Sequence, residues 1–272
     1  MAAGTLSLAN RFSITRTVGR FADMTRRRAV ALLLVAAVQW GAETAIGLPG
    51  GPLAFAASWL GPWREAANDL LFFVGYAFTG GMVVRLALTL PMPFRPALLD
   101  AARTALTAFP TVLAVVMAIN LPGAALRWSL ALSASTEIPA TTLVALYAVA
   151  GIVLLVLTLA LNGYLAVVAP VALAERPGFA GAFRRGVGLA RPRLWTMIGL
   201  AVVTGLIISA GTWGVQMATG MAGLAPRFSY LPGAMAISLG LLQMVFFAAV
   251  YRELTEVGGA AASPSDTAEV FA

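Results

Sequence analysis

The chain contains no cysteine, no histidine and no lysine. Without cysteine it has no disulfide, no thiolate nucleophile and no cysteine-held zinc or iron–sulfur centre. Without histidine there is no imidazole base, no histidine metal ligand and no H-E-x-x-H metalloprotease site. Without lysine the G-x-x-x-x-G-K phosphate loop cannot be completed. Charge of either sign is scarce too: 11% of the 272 residues are charged, against about 25% in a typical soluble domain. Hydrophobic residues make up 60% and the mean hydropathy is +0.88. So few charges cannot cover a water-exposed surface, and lipid is the expected main solvent.

All 18 basic residues are arginine, and the net charge is +7. A nucleic-acid interface would need these charges as a patch on a soluble face. Here they flank apolar runs, where they meet anionic lipid headgroups and set topology. The expected partners are membrane lipids, chiefly anionic, and a further membrane protein, not nucleic acid.

A helix crossing hydrocarbon needs about 20 apolar residues. Six stretches qualify: Ala29 to Leu48, Leu70 to Leu90, Thr107 to Arg127, Thr141 to Leu161 with an apolar continuation to Ala174, Leu194 to Gln216, and Leu231 to Tyr251. The segments between them alternate in arginine content, and 14 of the 18 arginines fall on one side. The positive-inside rule then places both termini in the cytoplasm. A cleaved twin-arginine signal at Thr25–Val38 is disfavoured, because the charged region before it is long and no exported soluble domain follows.

Three arginine-bearing segments ahead of spans also have helical amphipathic patterning. In the first, Ile14, Val18 and Phe21 share one face and Arg16, Arg20, Asp23 and Arg27 another. In the second, Leu98, Ala102 and Ala105 oppose Asp100 and Arg103, and in the third Phe179, Phe183 and Val187 oppose Arg184, Arg185 and Arg191. Gly181, Gly186 and Gly188 weaken the third, at about 1 kcal/mol each relative to alanine. These segments start roughly 82 to 84 residues apart, and two spans follow each. The expected fold is all-α: a six-helix membrane bundle with short cytoplasmic interfacial helices. Residues 1–28 form a basic cytoplasmic segment, 29–257 the membrane domain, and 258–272 a small, polar, proline-containing tail expected to be disordered.

Several stretches resemble a known family. Arg11-Phe12-Ser13-Ile14 opens a basic helix, Ala169–Glu175 leads into Phe183–Arg191, and Val250-Tyr251-Arg252-Glu253-Leu254 closes the pattern. In order and spacing these resemble a bacterial family of six-span membrane proteins without a settled activity, related to the membrane domain fused ahead of some glycerophosphodiester phosphodiesterases. The resemblance implies an integral domain of the bacterial inner membrane and supplies no catalytic residues. The family often carries a longer Arg/Lys-rich helix where this chain has Gly186 and Gly188. No soluble segment here is long enough to hold a phosphodiesterase domain.

No catalytic constellation is visible. None of the four aspartates lies deep in a span, which disfavours paired-carboxylate chemistry. No nucleophile–base pair stands out, so neither an enzyme nor a cofactor site is expected. The residues that need an explanation are polar groups at membrane depth, where a charge costs roughly 3 kcal/mol on insertion scales. They are Glu43, Arg85, Arg127, Gln39, Asn120 and Gln243. By depth, Glu43 and Arg127 are expected to pair, and Arg85 to reach Glu175, Glu253 or the headgroups. Gln39, Asn120 and Gln243 are read as interhelical glue worth about 1 kcal/mol, with the lining of a polar path as the competing reading. Candidate headgroup contacts are Arg16, Arg20, Arg27, Arg103, Arg184, Arg185 and Arg191. Ala201, Gly205 and Ser209, and Ala236 with Gly240, form small-residue stripes expected to let helices approach closely. Pro170 and Pro122-Gly123 are expected helix breaks. The resulting expectation is a non-catalytic scaffold or accessory protein of the inner membrane, with a small-solute or lipid transporter as the alternative.

Overall fold

In a computed structural model of the chain, the structure describes residues 12–47, 63–89, 92–133, 140–221 and 231–261. Side chains at some helix ends, Glu43 among them, lie outside that description, as does 262–272; residues 258–261 of the expected 258–272 tail instead close the last helix, Leu231–Ala261. The described elements are helical throughout: α1 (Ile14–Gly47), α2 (Arg64–Leu88), α3 (Phe94–Ser133), α4 (Ala140–Leu165), α5 (Val168–Ala174), α6 (Phe179–Ala190), α7 (Leu194–Met221) and α8 (Leu231–Ala261). Five segments are long and apolar enough to cross a membrane: Ala66–Leu88, Phe94–Ser129, Ala145–Ala174, Phe179–Met221 and Leu231–Val257. The chain is an all-helical protein of multi-pass character. The further span expected at Ala29–Leu48 falls on α1 and extends past the described side chains.

The first two interfacial segments are not separate helices. Each is the leading part of a longer one: α1 runs unbroken from Ile14 through Arg26–Arg28 into its apolar part. Likewise α3 covers 40 residues, roughly 60 Å at 1.5 Å per residue. Neither Thr25–Ala29 nor Ala105–Thr107 contains a glycine or proline to interrupt the backbone ladder, so it continues. The third segment is a distinct helix, α6. A 3₁₀ turn at Arg191–Arg193 follows it, with Pro192 inside.

The prolines act unequally. Helix α3 continues through both Pro110 and Pro122, so no break occurs at Pro122-Gly123. Neighbouring helices and local adjustment accommodate such prolines in membrane bundles. Pro170 has the larger effect. It has no N–H for the Ala166 carbonyl, and the chain turns at Ala166–Val167 between α4 and α5. Ala166 N–H donates to Asn162 O at 3.0 Å, and Val171 N–H restarts the ladder on Val167 O at 3.0 Å.

Helices α2, α3, α4, α7 and α8 pack each against the next and close into a ring, with α8 returning to α2. Helix α1 lies outside the ring against α2 and α8. The short α5 sits within one end, touching α2, α3, α6 and α8, and Val168 to Leu173 are all buried. Gly186 of α6 makes that packing possible: a Cβ there would lie 2.8 Å from the Val168 Cα and 2.6 Å from its Cγ2. The glycine that weakens α6 as a helix is what lets it seat on α5. Leu146, Val149, Ile152 and Val156 of α4, with Leu206 and Ile207 of α7, face outward. Such an apolar exterior suits lipid rather than water.

Candidate functional site

Ion pairs and hydrogen bonds concentrate where the start of α1, the α2–α3 junction, α5, α6 and the end of α8 meet. Glu253 of α8 is the centre of one group, its side chain 1% exposed. Its Oε1 accepts from the Ser13 backbone N–H at 3.1 Å and from Arg16 Nε at 2.9 Å, while Arg16 Nη2 stands 2.7 Å away. Arg20 Nη2 lies 3.5 Å from Glu253 Oε2 and also pairs with Glu256. Together these contacts fasten α1 to α8.

Arg85 of α2 is the centre of the second group. Its Nε donates to Asp100 Oδ2 on α3 at 2.8 Å, and its Nη1 to the Leu173 carbonyl on α5 at 3.1 Å. Arg176 donates to Thr104 Oγ1 at 2.9 Å, with its Nη2 3.9 Å from Asp100 Oδ1. Glu175 accepts from Tyr251 Oη at 3.0 Å and lies 3.4 Å from Arg185 Nε. Arg252 donates to the Leu88 carbonyl and Arg28 to the Met92 carbonyl. Arg85 thus engages Asp100 rather than the Glu175 or Glu253 expected from depth. Asp100 lies just beyond the α2–α3 turn, outside the span-depth residues from which a partner was sought.

The candidate headgroup arginines divide into two sets. Arg16, Arg20 and Arg185 have carboxylate partners as above, and Arg27 pairs with Asp23 one turn earlier at 2.8 Å. Arg103, Arg184 and Arg191 are exposed and make no ion pair among the described residues. Large exposed apolar side chains lie on the same helices or one turn away: Leu99 and Leu106 flank Arg103, Phe179 is on the helix of Arg184, and Trp195, 83% exposed, sits one turn beyond Arg191.

At the opposite end Asp69 of α2 accepts from Arg127 Nη2 at 3.0 Å and from Trp128 Nε1 at 2.8 Å, both on α3. Arg127 therefore has a partner other than Glu43, whose side chain lies outside the description. Nearby, Gln39 is buried and its Oε1 accepts from Thr79 Oγ1 at 3.1 Å, tying α1 to α2. Gly75 leaves room for that amide, since a Cβ would come within 3.1 Å of Gln39 Nε2.

Inside the ring is a cavity of about 490 Å³. Asn120 and Gln243 both line it, joined by Asn162, Thr158 and Tyr76. Gln243 Nε2 donates to Thr204 Oγ1 on α7 at 2.8 Å, an interhelical bond of the expected kind. Asn120 and Asn162 instead donate to carbonyls one turn back on their own helices, Val116 at 2.8 Å and Thr158 at 3.2 Å. Asn162 escaped notice in the sequence, although it is an amide in an apolar run like the other two. A second hollow of about 540 Å³, lined by Gln39, Asn68, Asp69 and Arg127, shares Phe72 and Asn120 with the first. It leads toward the Asp69 end. At the other end Ala166, Ala169 and Pro170, around the α4–α5 turn, form part of the lining.

The resemblance to the phosphodiesterase-linked membrane family rests on the short sequence stretches given above. Comparison with known proteins finds no matching family model, no similar curated protein and no similar solved structure.

Proposed function

We propose that the protein is a non-catalytic, six-span scaffold or accessory protein of the bacterial inner membrane. In this reading both termini and the arginine-rich end are cytoplasmic, and that end engages anionic lipids and, through the same surface, a membrane-protein partner. The observation that carries it is the set of exposed arginines without carboxylate partners among the described residues, Arg103, Arg184 and Arg191, on the same helices as, or one turn from, exposed Leu99, Leu106, Phe179 and Trp195. Apolar groups at the acyl boundary with guanidiniums at phosphate level is the arrangement that favours an anionic leaflet. Each such arginine near the surface contributes about 1 kcal/mol, so the three together are worth roughly a hundredfold in lipid preference.

The test compares lipids retained by wild type and by the Arg103→Gln, Arg184→Gln, Arg191→Gln triple variant, extracted from membranes containing phosphatidylglycerol and analysed by native mass spectrometry. Selective loss of the anionic lipids from the variant supports the reading. Equal retention, or no anionic preference in wild type, refutes it. The cavity and the helix interrupted at Ala166–Val167 support transport as a second reading, since interrupted helices border substrate sites in transporters.

A further inference from the structure

We propose that the cavity within the ring is a binding site for one uncharged, single-chain amphiphile whose head carries hydroxyl donors, such as a monoacylglycerol. The inference does not depend on the headgroup reading, because the cavity and the exposed arginines share no residue.

Three observations define the occupant. First, no lining residue is charged among the described residues. A carboxylate or phosphate would have to leave water with nothing to neutralise it, at a cost of several kcal/mol. Second, the polar lining offers both acceptors and donors. Asn120, Asn162 and Gln243 each spend an N–H on a protein oxygen. Their amide carbonyl oxygens accept no hydrogen bond among the described residues. Each amide also keeps a second N–H, so a head of hydroxyl groups, which both donate and accept, complements the lining. Third, the remainder of the lining is predominantly aliphatic and aromatic, which suits an alkyl chain and not a bare polyol. The volume of about 490 Å³ falls in the range of roughly 300–1,000 Å³ usual for small-molecule sites.

The small-residue stripes take on a different meaning here. Ala201 and Gly205 of α7 and Ala236 and Gly240 of α8 all line the cavity. A Cβ at Gly205 would meet nothing within 4 Å, so this glycine leaves open space. Helix contact occurs one to two turns further along, where a Cβ at Gly211 would lie 2.7 Å from Leu239 Cδ1. Part of the stripe therefore opens room between α7 and α8 instead of closing it.

The experiment uses the full chain in phosphatidylcholine nanodiscs, titrated with radiolabelled 1-monooleoylglycerol. Oleate and oleoyl lysophosphatidate, which keep the chain and add charge, serve as competitors. Saturable binding of one molecule per chain is expected, with both charged competitors at least tenfold weaker than unlabelled monooleoylglycerol. Gly205→Phe, which fills open space, and Asn162→Leu with Gln243→Leu, which removes acceptors, should each weaken binding at least tenfold. Because Gln243 also bonds Thr204, the double variant is read only if its elution profile and helicity match wild type. Gly205→Phe keeps the test decisive if that variant does not fold. Unsaturable uptake, equal competition by oleate or lysophosphatidate, displacement by phosphatidylglycerol, or unchanged binding in folded Gly205→Phe would overturn the proposal.

Discussion

Replacing Glu253 with glutamine isolates the charge that fastens α1 to α8. The substitution keeps side-chain shape and leaves one carbonyl oxygen for the Ser13 N–H and for Arg16. It removes the negative charge facing Arg16 and Arg20 and turns amide protons toward a guanidinium. A hydrogen bond to a charged group contributes about 1.5–3 kcal/mol, against about 0.5–1.5 for a neutral one. The Arg16 hydrogen bond loses about 1–1.5 kcal/mol, and the Arg20 ion pair, at 3.5 Å without a hydrogen bond, contributes up to about 1 kcal/mol, roughly 2–2.5 kcal/mol together. The arginines are 41% and 26% exposed, so solvent screening brings the expectation to about 2 kcal/mol. That corresponds to roughly a thirtyfold change in the folding equilibrium. Reversible unfolding in mixed micelles, titrated with SDS and followed by tryptophan fluorescence, measures it. Glu256→Gln is the control: Glu256 is 62% exposed and pairs with Arg20 alone among the described residues, so its loss should cost under about 0.5 kcal/mol. A Glu253→Gln protein as stable as wild type, or a Glu256→Gln protein equally weakened, would refute the view that burial makes Glu253 the principal partner.

Further outcomes follow from the same packing. Gly186→Ala should destabilise by about 1–3 kcal/mol in that titration, because its Cβ meets the Val168 backbone. Gly188→Ala, with nothing within 4 Å, should stabilise by up to about 1 kcal/mol; the same sign for both would contradict the packing of α6 on α5. Arg85→Lys should cost about 1–3 kcal/mol, since a point charge cannot serve Asp100 and the Leu173 carbonyl as a planar fork does, and a wild-type midpoint would remove that bridging role. Asp69→Asn should weaken the α2–α3 contact by about 1 kcal/mol through its charge-assisted bond to Arg127. Faster hydrogen exchange confined to the Asp69 end is the expected signature, and exchange unchanged there would count against it.

Helical class and membrane character were legible because apolar run length is a local property of the sequence. The arginine asymmetry was equally plain, and the described ion pairs do gather the arginine-bearing segments at one end. The rest depended on three-dimensional proximity. Arg85 was matched with carboxylates by depth along the membrane normal, yet Asp100 reaches it through the α2–α3 turn. Arg127 finds Asp69, near the start of the adjoining helix, for the same reason. Amphipathic patterning carried no signal for where a helix ends, which requires a breaker, and in α1 it is Thr17 and Met24, not Ile14 and Val18, that are buried. Pro122 and Pro170 look alike as letters, and only the surrounding packing separates the proline that α3 absorbs from the one beside a turn. The cavity was hidden because glycine and alanine stripes read the same whether a neighbour fills the groove or leaves it open.

The clasp between Ser13, Arg16, Arg20 and Glu253 joins residues up to 240 positions apart, and this sets a schedule for assembly. At roughly 5–20 residues per second, translation takes about 12–48 s to deliver Glu253 after Ser13 has emerged. Helix α1 must therefore remain through that interval with Arg16 and Arg20 lacking the carboxylate they face in the finished molecule. The ring also cannot close before α8 arrives, because α8 supplies the contact that returns to α2. A chain stalled before α8 would leave the ring open, so ring closure and the α1–α8 contacts come late in synthesis.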